Sequence, residues 1–164
     1  MTHAPFDPAS ATIVIVTYNR SHLLTGLLES ISAMDPKPGH VVIIDNASSD
    51  DTTDVVESFR PKLGTEVVYR RLETNTGGSG GFSEGMRTAY ELGSEWIWMM
   101  DDDVEVVTDG LAKMASGLRA SRASRAAATT TTAVSSTGST GSPSGWASRS
   151  RSLRPASTPP ASRR

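Results

Sequence analysis

Four short runs rich in β-branched and aromatic residues punctuate the first 114 positions: ATIVIVT (11–17), HVVIID (40–45), TEVVYRRL (65–72) and SEWIWMM (94–100). Each closes on polar residues, and runs of this length and make-up form strands. Between them apolar residues recur at helical spacing: Leu23, Leu24, Leu27, Leu28, Ile31 and Met34; then Val55, Val56 and Phe59; then Phe82, Met86, Ala89 and Tyr90. Asn19 or Ser21, and Ser49 or Asp50, suit the N-caps of the first two helices, and Pro36, Pro38 and Gly39 close the first. Strand–helix repetition of this kind gives right-handed βαβ crossovers. The expected fold class is therefore α/β, a Rossmann-like parallel sheet of about four strands with flanking helices.

Composition divides the 164 residues into three parts: an extension at 1–10, the α/β unit at 11–114 and a tail at 115–164. All 18 acidic residues and 8 basic ones lie in 1–114, net −10, whereas the tail carries 8 arginines and no acid. Its larger apolar residues are Leu118, Val134, Trp146 and Leu153. Four in fifty cannot offset a backbone entropy of about 1–2 kcal/mol per residue, so disorder is expected there. The tail lacks Lys, Asn, Ile, Phe, Tyr and Met, whose codons are AT-rich, as translation in a shifted frame of GC-rich DNA would produce. A genuine basic tail that visits an anionic surface, at about 1 kcal/mol per arginine, is the alternative. No cysteine is present, which excludes disulfides and thiolate metal sites. The longest apolar runs fall far short of the roughly 20 residues a membrane helix needs. Nothing in the opening MTHAPFDPAS resembles an export signal, so a cytoplasmic protein is expected.

Ligands of parallel sheets sit beyond the carboxyl ends of the strands, where this chain reads TYNR, DNASSDD, NTGGSGG and DDDV. Asp101, Asp102 and Asp103 follow an apolar strand directly, and three adjacent carboxylates repel one another unless a cation or hydrogen-bond donors compensate. In extended chain Asp101 and Asp103 point the same way, which suits a hard ion such as Mn²⁺ or Mg²⁺; a solvated helix start before Leu111 is the alternative. Asp45 ends the second strand, where an aspartate takes a ribose hydroxyl or base N–H of a nucleotide, or else forms an Asx-turn. Thr17, Tyr18, Asn19 and Arg20 form either a nucleotide-contacting loop or a cap with a surface arginine. NTGGSGGF lacks the Gly-x-Gly-x-x-Gly fingerprint and the P-loop lysine. It contains Gly-x-Ser-x-Gly, but no His follows it and four polar residues separate it from the strand, so a hydrolase elbow is rejected. What remains is a tight loop approaching ligand or sheet, with Asn75 at its start, or a flexible connection.

In order, VIVTYNR, VVIIDNASSDDT, NTGGSGGFSEGM and WIWMMDDDV resemble the amino-terminal half of inverting family-2 glycosyltransferases with the GT-A fold, most closely the actinobacterial galactofuranosyltransferases. The resemblance covers residues 11–114. It implies that Arg20, Asp45, Asn46 and Asn75 hold uridine diphosphate, that Asp101 and Asp102 contact ribose or sugar, and that Asp101 and Asp103 bind Mn²⁺ or Mg²⁺. The ion would neutralise the departing diphosphate as the sugar carbon becomes oxocarbenium-like. It further implies a UDP-sugar donor and a glycan or lipid-linked acceptor, with peripheral association at the inner membrane face for a lipid-linked one; nucleic acid is not an expected partner. In this family the general base and often a metal-binding His come from the carboxyl-terminal half. No acid follows Asp109 here and no His follows His40, so a truncated donor-binding half-site with little or no turnover is expected. Two alternatives are a non-catalytic uridine-nucleotide and metal-binding fragment, and a metal-dependent phosphohydrolase using Asp-x-Asp. The second ranks low, because the first strand ends TYNR rather than in a nucleophilic aspartate.

Overall fold

The computed structural model describes residues 6–121. Four strands, β1 (Ala11–Thr17), β2 (His40–Asp45), β3 (Glu66–Arg71) and β4 (Trp96–Asp101), form one parallel sheet in the order β3-β2-β1-β4. Three helices connect them: α1 (Ser21–Ser32), α2 (Thr52–Phe59) and α3 (Gly77–Glu91). The α/β expectation holds, with strand limits within two residues of those read from the sequence.

β1 is the central strand and every one of its residues is buried. Successive strand residues face opposite sides. Ile13, Ile15, Val41 and Ile43 therefore meet Leu24, Leu27, Leu28 and Ile31 of α1 and Val56 and Phe59 of α2, while Val14, Val16, Val42 and Ile44 meet Ala89 and Phe82 of α3. Each fully buried Leu or Ile contributes about 1.5–3 kcal/mol. The chain winds outward through β2 and β3 with helices on one face, then returns to the far side of β1 with α3 on the other. The direction reverses between β1 and β4, which opens a crevice at their carboxyl ends. Ile97 and Met99 of β4 and Met86 and Tyr90 of α3 are exposed.

Three features depart from the sequence reading. The glycine segment is helix rather than loop, because α3 starts at Gly77. Its inner glycines permit close packing: a Cβ on Gly81 would lie 2.5 Å from Val16 Cγ1, and one on Gly85 would lie 2.3 Å from Val14 Cγ1. The ordered chain also runs past 114, since a further helix, α4, spans residues 110–121. Leu111, Ala115 and Leu118, spaced i, i+4 and i+7, join the α1–α2 core, and a preformed core needs few apolar partners to hold a helix. The expected disorder and frame shift of the remaining tail lie outside the described residues. Finally, the 1–10 segment adds to the core: Phe6 is buried and meets Trp96 edge to face at 5.3 Å.

Candidate functional site

At the β1/β4 crevice lies a cleft of ≈ 250 Å³, walled by the end of β1 (Val16, Thr17, Tyr18, Arg20), by Asn46, by Asn75, Gly77 and Gly78 at the start of α3, and by Asp101 and Asp102. Asn46 fixes the α3 wall. Its amide donates to Gly77 O at 3.2 Å, and its Oδ1 accepts from the Thr76 hydroxyl at 3.1 Å. Asn75 Oδ1 accepts the Gly77 N–H at 2.8 Å. Gly77 has φ +70°, which glycine adopts without strain, and a Cβ on either Gly77 or Gly78 would meet open space. The wall is bare backbone at the positive end of a helix dipole.

The three aspartates have separate environments. Asp102 is buried, accepting from the Thr17 hydroxyl at 2.7 Å and from Arg20 Nη1 at 3.4 Å. Asp103 is half exposed and pairs with Arg20 at 3.8 Å. Asp101 lines the cleft and makes no side-chain hydrogen bond or ion pair among the described residues. The alternation expected to align Asp101 with Asp103 ends with the strand, because 102 and 103 form a turn. No three of His, Cys, Asp and Glu converge on a cation-sized position among the described residues. Asp101 and Asp103 are both exposed, and an Mg²⁺-like ion commonly takes one or two protein oxygens and fills its shell with substrate phosphate and water.

Asp45 is brought not to the cleft but to an internal network. Its Oδ1 accepts the Ser48 N–H at 2.8 Å, the Asx-type turn left open by the sequence. Its Oδ2 accepts the Tyr69 hydroxyl at 2.7 Å and faces Arg71 Nε at 3.6 Å. Burial first, and the adjoining Asp45 carboxylate with it, push the Tyr69 phenol up to about 12 against an opposing hydrogen bond from Thr53. Asn19 also stays out of the cleft, its amide oxygen being engaged by Ser49 at 2.7 Å. Of the expected nucleotide contacts, Thr17, Tyr18, Arg20, Asn46, Asn75, Asp101 and Asp102 line the cleft, whereas Asn19 and Asp45 do not; of the expected metal ligands, Asp101 lines it and Asp103 does not. Tyr69 and Arg71 were missed by the sequence reading. Their signal was present in the polar end of the third strand, YRR, which the glycine segment overshadowed.

Helix capping also differs from expectation. Arg20 and Asp51 occupy the N-cap positions of α1 and α2 and make no side-chain cap bond. Asp50 serves both helices, its Oδ2 accepting the Ser21 N–H at 2.9 Å and its Oδ1 the Thr52 hydroxyl at 2.6 Å. Desolvation opposes its ionisation, but the bonds from Thr52 and Ser21 hold its carboxyl below the usual range.

Sheet order and cleft define an α/β protein whose candidate ligand site is the switch point between β1 and β4. The chain belongs to glycosyl transferase family 2, whose model matches residues 12–161. It is 39% identical over 90 residues to the galactofuranosyltransferase GlfT1 of Mycolicibacterium smegmatis, a match covering 55% of this chain and 28% of that protein. Against GlfT1 of Mycobacterium tuberculosis the figures are 34% over 94 residues, 57% and 30%. Among solved structures, Staphylococcus aureus TarS 1–349 in complex with UDP superposes with TM-score 0.56 at 27% identity, over 65% of this chain and 31% of that one. The mannosyltransferase PcManGT from Pyrobaculum calidifontis, in complex with GDP-Man and Mn²⁺, shares the fold at TM-score 0.50 and 24% identity, over 61% of this chain and 29% of that one. The matched region thus spans about a third or less of each of these proteins. Family membership sets aside the phosphohydrolase alternative. No helix among the described residues is long and apolar enough to cross a membrane.

Proposed function

We propose that this chain supplies the donor half of a sugar transferase, holding a UDP-sugar, with galactofuranose the sugar favoured by its GlfT1 relatives. The observation that carries the reading is the meeting of Arg20, Asn46, the bare amide wall of α3 and Asp101–Asp102 in one cleft at the switch point. Arg20 and the α3 amides offer positive charge to a diphosphate. Thr17 holds Asp102 turned inward, leaving its neighbours Asp101 and Asp103 as outward carboxylates. These two would hold Mn²⁺ or Mg²⁺, which when bound neutralises the charge growing on the departing diphosphate. Asp45, clamped by Tyr69 and Arg71, fixes the β2 end against which the nucleoside packs. The acceptor is a glycan or a lipid-linked glycan, the latter met at the inner face of the membrane.

Inverting transfer also requires a carboxylate base at the acceptor hydroxyl, and the sequence has no acid beyond Asp109. We therefore propose that these residues bind the donor and do not themselves supply that base. The test pairs calorimetry of UDP with Mn²⁺ against a transfer assay with UDP-galactofuranose, both on the full 164-residue chain. Saturable Mn²⁺-dependent binding without product supports the reading. Robust transfer refutes the missing base, and absent binding refutes the donor site.

A further inference from the structure

Asn19 has φ +52°, a left-handed conformation uncommon outside glycine but tolerated by asparagine. That conformation turns both polar ends of the residue toward the β2–α2 loop. Its N–H donates to Ser48 Oγ at 2.9 Å, and its Oδ1 accepts the Ser49 N–H at 2.7 Å and the Ser49 hydroxyl at 3.3 Å. On the other side of Arg20, Ser21 donates its N–H to Asp50. The backbone of Arg20 is thus pinned through both neighbours to one loop, and that loop is itself fastened to β2 by the bond from Ser48 N–H to Asp45. From this fixed base the guanidinium reaches Asp102 and Asp103 across the cleft mouth. A long, half-exposed arginine holds such a direction poorly unless its backbone is fixed.

We infer that Asn19 is a positioning residue, which clamps the β1–α1 loop to the β2–α2 loop and thereby aims Arg20 at the diphosphate. This rests on the donor-site reading for its ligand, but not for the clamp itself. The loss of the two hydrogen bonds accepted by Asn19 Oδ1 should weaken UDP binding through Arg20 by about tenfold.

The test uses Asn19→Gly, which keeps the left-handed backbone and removes the amide, and Asn19→Asp, which keeps the acceptor oxygen. UDP affinity with Mg²⁺ is measured in each, alone and combined with Arg20→Ala, alongside thermal unfolding and exchange of the Ser49 amide and the Arg20 guanidinium protons. Expected are tenfold weaker binding in Asn19→Gly, near wild-type binding in Asn19→Asp, and less than about twofold further loss when Asn19→Gly is added to Arg20→Ala. Ser49 and Arg20 protons should exchange faster in Asn19→Gly alone. An unchanged affinity in Asn19→Gly overturns the inference, as does a loss that persists in full without Arg20. If UDP fails to bind the wild-type chain, the donor-site reading falls. The clamp is then decided by exchange: equal rates in all three proteins overturn it, and selective acceleration in Asn19→Gly sustains it.

Discussion

Replacing Gly85 with alanine places a methyl carbon 2.3 Å from Val14 Cγ1 and 3.4 Å from Ile44 Cγ1, about 1 Å inside ordinary contact for the first. Val14 is fully buried on the central strand and, being β-branched, has little rotamer freedom, so α3 must lift from the sheet. Overpacking of this kind costs about 1–3 kcal/mol, while alanine in a helix interior recovers roughly 1 kcal/mol. The net expectation is a loss of about 1 kcal/mol, or a fall of about 3–6 °C in Tm. Gly26 in α1 supplies the control, because a Cβ there meets nothing within 4 Å. Gly26→Ala should stabilise by about 0.5–1 kcal/mol and raise Tm by a similar span. Thermal unfolding followed by far-ultraviolet circular dichroism reads both. If Gly85→Ala unfolds at or above the wild-type temperature, α3 does not sit against β1 as closely as described, and the cleft wall it carries is misplaced.

Other expectations follow from particular side chains. Tyr69 should titrate near pH 12 in the folded chain and near 10 when unfolded, as read by phenolate absorbance. Its raised value contributes stability that is complete below about pH 10 and lost as pH climbs to 12; a folded value near 10 would contradict its burial beside Asp45. Asp50 acts with the opposite sign: its lowered carboxyl contributes stability above about pH 4 that disappears as pH falls through its folded value. The Tm difference between wild type and Asp50→Asn should therefore narrow below pH 4, and a constant difference would show that ionisation of Asp50 does not matter. Asp103→Ala should abolish the Mn²⁺ dependence of UDP binding while sparing Tm; unchanged metal dependence would remove Asp103 from the ion's shell.

The strands were legible because a parallel sheet covered on both faces demands near-continuous apolar runs, and 11–17 and 40–45 are such runs. The helices on the α1 side were legible from their apolar stripe. Less legible was α3, since glycines at 77, 78, 80 and 81 oppose helix propensity; the close approach to β1 accounts for Gly81, and a positive φ for Gly77. At the site, strand ends located the cleft, yet residue type could not say which aspartate turns inward. That choice is made by the Thr17 hydroxyl and Arg20, which come from 82–85 positions away in sequence. Asp45 was correctly placed at a strand end, but Tyr69 and Arg71 from the neighbouring strand close over it. Pairing across strands is a tertiary fact that a linear motif does not contain.

The central claim is that the cleft at the β1/β4 crevice receives a uridine diphosphate. Amide chemical-shift mapping of the full chain during titration with UDP and Mg²⁺ tests it most directly. Saturable shifts centred on Thr17, Arg20, Asn46, Gly77 and Asp101, strengthened by the ion, are the expected result. Shifts absent from these residues, or centred instead on the outer edge at β3, would contradict it.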